Sequence, residues 1–149
     1  MAVGQLRWSK TRKIDALRGV GLLAACTRRE LAAVADVVVP AELPAGSVLT
    51  REGQVGALAY VIETGACDVL RNGRRIVRLG PGALVGELSL LDGGPRTATV
   101  QAATDVYALE ISQGDLQQLL RRAPNLRRAV LRSLAERVRD VDRRAGLVS

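Results

Sequence analysis

The sequence predicts a mainly β domain with flanking α-helices, its strands closed into a small antiparallel sandwich or jelly-roll barrel. Between Val37 and Ile111, short β-branched runs alternate with turn signals at "PAGS", "REGQVG", "ETGA", "RNGRR" and "LGPGA". Before and after this stretch the apolar residues recur at helical spacing instead. With 149 residues the chain has room for one domain with a real core. No internal repeat or low-complexity linker divides it.

Ile14, Leu17 and Val20 set a short first helix over Lys10 to Arg18. In "CTRRELAAVADVVVP", Thr27 and Glu30 have the spacing of a capping box, so a second short helix follows and leads into a strand ended by Pro40. Asn72-Gly73 between "ACDVL" and "RIVRL" specifies a two-residue hairpin. Strands this short and regular call for closure, which protects sheet edges. Beyond Ile111, Ser112 and Asp115 cap "DLQQLLRR", Pro124 starts a last helix, and Leu126, Val130, Leu134, Val138 and Val141 form its apolar stripe.

Composition narrows the chemistry. The chain has no histidine, which removes Ser-His and Cys-His triads, imidazole acid-base catalysis and most zinc, copper and non-haem iron sites. A non-enzyme without a bound metal is the expectation. Cys26 and Cys67 match no metal or redox spacing and read as small buried residues. The formal charge of +7 lies mainly in arginines toward the two ends. Those on the last helices are expected to solvate outer faces or meet an acidic partner in preference to nucleic acid, with a nucleic-acid-binding or assembly protein as the alternative. The start, "MAVGQLRWSKTRK", has neither the apolar core nor the cleavage site of a secretory signal, and no apolar run is long enough to span a bilayer. A cytoplasmic chain without a membrane partner is expected.

"GELSLLDGGPRTATV", Gly86 to Val100, carries the most specific chemistry. Gly86-Glu87-Leu88-Ser89 reads as one helical turn entered from a glycine, whose exposed N–H groups attract an anion. Glu87 would repel a bare phosphate but accepts hydroxyl protons, as from a ribose. Leu88, Leu90 and Leu91 anchor the turn, and "DGGP" returns the chain at Arg96. That residue offers a planar fork of donors matched to a phosphate. The set asks for a small molecule carrying both a ribose hydroxyl and a phosphate.

The stretch resembles the phosphate-binding cassette of the cyclic nucleotide-binding domain family, which includes the catabolite activator protein and the regulatory subunits of cAMP-dependent protein kinase. "PAGSVLTREGQVG", "YVIETGACDVL", "LGPGALVGELSLL" and "PRTATV" fall in the family's order, and the likeness runs roughly from Leu17 to Val141. It implies a double-stranded β-helix (jelly-roll) barrel of roughly eight strands, over about residues 37–111. Short N-terminal helices would precede it, and C-terminal helices would follow at about 113–144. Residues 1–13 are expected as a basic arm and 14–149 as a single cyclic nucleotide-binding domain.

By the same resemblance, Glu87 accepts from the ribose 2′-hydroxyl and Arg96 pairs with the equatorial phosphate oxygen. Gly86, Leu88, Ser89, Thr97 and Ala98 would complete the cradle. The implied ligand is cAMP, with cGMP as the rival because Thr97 can accept from a guanine amino group. No further cofactor is implied. Trp8, Tyr60 and Tyr107 are the only aromatic residues, so an arginine or aliphatic residue near Arg137 to Val141 must cover the base, a guanidinium being suited to stack on the purine. Val85 stands where the family often has an aromatic residue, and Gln54 and Ala57 replace common acidic ones. The apolar stripe of the last helix serves packing on the barrel or a homodimer. The expected output partner is an effector protein, and no DNA-reading domain is expected after Val141.

Overall fold

The computed structural model describes residues 4–5, 7–86 and 94–144. In chain order these form β1 (Gly4–Gln5), α1 (Lys10–Arg18), a 3₁₀ turn (Gly21–Leu23), α2 (Arg28–Val37), β2 (Val39–Leu43), β3 (Val48–Thr50), β4 (Leu58–Thr64), β5 (Cys67–Arg71), β6 (Arg74–Leu79), β7 (Leu84–Val85), β8 (Thr99–Ala102), β9 (Val106–Ser112), α3 (Gln113–Arg122) and α4 (Pro124–Arg144). A five-stranded sheet in the order β1-β2-β9-β4-β7 faces a four-stranded sheet in the order β3-β8-β5-β6. This is the expected antiparallel jelly roll with helices at both ends of the chain. The described residues hold nine strands where about eight were expected. Gly4–Gln5, within the basic N-terminal segment, pairs with Ala41 and Glu42 and adds a short edge.

Pro40 does not end its strand. It lies inside β2, paired with Leu109. Among the described residues β1 reaches only Ala41 and Glu42, so the missing N–H of Pro40 breaks no ladder on that side. The Asn-Gly hairpin forms as expected: Arg71 pairs with Arg74 across it, and Asn72 and Gly73 have φ of 53° and 77°, as a type I′ turn requires.

Two apolar cores share one sheet. Along β4, Ala59 and Val61 face the helices while Tyr60 and Ile62 face the barrel interior. Along β9, Leu109 and Ile111 go to the helices, Val106 and Ala108 to the interior. These strands are buried on both faces, so their sequences are nearly continuous apolar runs. The stripe on α4 turns inward at Leu126 and Val130, which are buried in the helical core, with Leu134 packed at its margin. The side chains of Val138 and Val141 lie outside the described residues.

Glu30 ties the helices to one another. It completes the capping box of α2, where the Thr27 N–H donates to it at 2.9 Å. Its carboxylate also accepts from the Asn125 backbone N–H (2.9 Å) and Nδ2 (2.8 Å), at the first turn of α4. One buried carboxylate thus caps two helices far apart in sequence, each with the positive end of its dipole toward it. Burial pushes the Glu30 carboxyl up, but the hydrogen bonds from Thr27, Asn125 and Leu126 outweigh it and hold the group at about 2, below the usual 4.5. A group lowered in this way stabilises the fold fully above about pH 4.5 and loses that contribution as the pH falls toward 2. Glu30→Gln is therefore expected to cost about 2 kcal/mol at pH 7, where charge-assisted bonds are lost. In urea titrations the gap to the wild type should narrow between pH 4.5 and 2.

Candidate functional site

The site is built where β8 begins, against the turn between β3 and β4. Gly53 has φ of +81°, which bends that turn back on itself. Its N–H then donates to the Arg96 carbonyl, and the Arg96 N–H donates to the Gln54 carbonyl, both at 2.9 Å. The following residues are held from both sides. Thr50 Oγ1 donates to the Ala98 carbonyl (3.1 Å), Arg71 Nε to the Thr97 carbonyl (3.2 Å), and the Glu52 N–H to Thr99 Oγ1 (3.0 Å). Arg96 therefore leaves a backbone fixed on two sides.

Its side chain turns inward and is only 7% exposed. Nη1 donates to the Gly86 carbonyl at 2.8 Å and Nη2 to the Leu58 carbonyl at 2.5 Å. These two neutral carbonyls orient the guanidinium, whose planar fork of donors is the kind that matches carboxylate and phosphate oxygens. Two glycines make the space. A Cβ on Gly56 or on Gly86 would collide with the guanidinium, and Gly86 also has φ of +84°, which disfavours any side chain there. Arg96 lines a cleft of about 330 Å³ together with Thr50, Arg51, Val55 and Tyr60, within the size range of small-molecule sites. Burial pushes the Tyr60 phenol up, Glu110 adds to this and Arg96 opposes it, so the phenol stays neutral at pH 7.

Of the residues singled out in the sequence, Gly86 and Arg96 meet directly, although ten positions separate them. Ala98 is buried beside them and Thr97 is exposed. Glu87, Leu88 and Ser89, with Leu90 and Leu91, lie outside the described residues. Sequence reasoning missed two participants. The Leu58 carbonyl carries no side-chain signature, and Gly56, which the sequence shows only as part of the "REGQVG" turn signal, provides clearance for the guanidinium. Its place in "REGQVG", three residues beyond Gly53, was the available signal. Among the described residues no cluster of acidic or cysteine side chains could hold a metal, and no helix is long and apolar enough to cross a membrane.

A family model described as the cyclic nucleotide-binding domain matches residues 40–123. A cyclic nucleotide-gated potassium channel of Mesorhizobium japonicum is 37% identical over 95 residues, covering 64% of this chain and 26% of the channel. The cyclic AMP receptor protein of Thermus thermophilus is 33% identical over 111 residues, covering 71% of this chain and 51% of that protein. The chain thus spans less than two thirds of either relative. Among solved structures, the N-terminal domain of a transcriptional regulator from Streptomyces coelicolor superposes with a TM-score of 0.72 at 38% identity, covering 90% of this chain and 96% of that one.

Gly56→Ala is expected to displace the Arg96 guanidinium and cost about 1–3 kcal/mol, the usual range for overpacking a filled site, as read by urea unfolding. Gly80→Ala serves as control: its Cβ would meet nothing within 4 Å, and its effect should stay within about 0.5 kcal/mol.

Proposed function

This chain belongs to the cyclic nucleotide-binding domain family, and we propose that it is a non-catalytic sensor of cAMP, with cGMP as the competing ligand. The reading rests on one observation above the others, the buried Arg96 guanidinium oriented by the Gly86 and Leu58 carbonyls. A singly charged cyclic phosphate reaching this group exchanges water for a fixed bidentate donor in a low-dielectric setting, where such pairs are strong. Gly86, Leu88, Ser89, Thr97 and Ala98 supply the rest of the phosphate cradle in this proposal. Glu87 accepts from the ribose 2′-hydroxyl, and a side chain between Arg137 and Val141 covers the base. The likeness to the cyclic AMP receptor protein of Thermus thermophilus supports cAMP; Thr97 beside Arg96 keeps cGMP as the rival.

The output runs through the C-terminal helices. α3 continues directly from β9, and both α3 and α4 rest on the outer face of the sheet whose strands β4 and β7 lead to the Arg96 anchors. Closing the cassette on a nucleotide shifts the balance between two seatings of these helices, by no more than the ligand's differential affinity for them. Residues 14–149 act as the single domain, and the basic segment 1–13 joins it through the Gly4–Gln5 edge strand and the first turn of α1. The distal part of α4 offers a surface for a second copy or for an effector protein.

Isothermal titration of the purified chain with cAMP and with cGMP tests the reading. Saturable binding, tighter for cAMP, is expected. Arg96→Ala should weaken it at least tenfold, since truncating one partner of a buried charge pair costs about 2–5 kcal/mol. No heat with either nucleotide, or binding unchanged in the variant, would contradict it.

A further inference from the structure

The helices do not fill the space above the five-stranded sheet. A cavity of about 50 Å³ lies at their joint with it. Leu17 of α1, Val34 of α2, Ala59 of β4, Ile111 of β9, Leu119 of α3 and Val130 of α4 stand around it, and no polar atom faces in. Water gains nothing there, because a buried water needs two to four polar partners. The cavity shares no lining residue with the Arg96 cleft.

We infer that this joint is a second binding site, for a small uncharged apolar molecule. Dry apolar cavities take up such guests: one of about 150 Å³ lined by aliphatic and aromatic side chains admits benzene or xenon. This cavity has about a third of that volume and suits xenon or a hydrocarbon of two or three carbons. Every wall gains dispersion contacts that the void now lacks. Ala59 sets the available room. It is fully buried, its side chain is the smallest around the cavity, and it sits on a strand where a β-branched residue fits well. A guest here touches all four helices and the sheet at once, so it stabilises their common seating by mass action.

Methyl ¹H–¹³C NMR and thermal unfolding of the whole chain under xenon, with helium at equal pressure as reference, test the site. Saturable shifts confined to the methyl groups that line the cavity, among them those of Leu17, Val34, Ala59, Ile111, Leu119 and Val130, are expected, with a higher Tm under xenon. Ala59→Val, which adds two methyl groups' worth of volume, should raise the Tm without gas and weaken xenon binding at least tenfold. Val61→Ile, a smaller addition to the same wall, provides the same readout if Ala59→Val does not fold. Absence of shifts in the wild type, shifts centred on the barrel interior, or undiminished xenon binding in a folded variant would overturn the inference.

Discussion

The geometry of the site depends on a buried guanidinium held by two backbone carbonyls. Desolvating an arginine is costly unless its donors are satisfied, and Arg96 meets that condition by reaching Gly86 on one side and Leu58 on the other. Both of these acceptors are backbone carbonyls, so their hold on the guanidinium is set by the path of the main chain. This places demands on the surrounding sequence. Gly56 and Gly86 must lack a Cβ, the β3–β4 turn must bend at Gly53, and β8 must begin in register with that turn. The small residues around "REGQVG" and "LVGEL" are consequences of where one long side chain has to lie.

The two-faced sheet connects this site to the helices. Leu58, which holds Nη2, precedes Ala59 in the helical core, while Tyr60 and Ile62 alternate into the barrel. Gly86, which holds Nη1, directly follows Val85 at the end of β7, and Leu84 packs against the helical core. Both anchors of the guanidinium are therefore within one or two residues of side chains in contact with the helices. Packed interiors transmit such displacements because they have little slack. Glu30 fixes the opposite end of the arrangement by joining the first turns of α2 and α4.

Much of this was legible in the residues because local signals agreed with the global fold. Thr27 with Glu30, Ser112 before Asp115, Pro124 at a helix start and Asn72-Gly73 at a hairpin each have a short-range cause and sit where that cause puts them. Arg96 stood out by its spacing to Gly86, and the structure brings the two together. What could not be read depends on long-range placement. Pro40 looked like a strand terminator because only the sheet reveals that, among the described residues, β1 reaches no farther than Ala41 on that side. The Leu58 carbonyl became a ligand through an approach across 38 positions, for which the side chain of Leu58 gives no sign. The second role of Glu30, toward Asn125, is hidden for the same reason.

The most direct test of the central claim is a crystal structure of the chain with cAMP. The account predicts the cyclic phosphate within hydrogen-bond distance of the Arg96 guanidinium, which keeps its place beside Gly86 and Leu58, and the ribose 2′-hydroxyl on Glu87. A nucleotide bound elsewhere, with Arg96 making no contact to its phosphate, would contradict it.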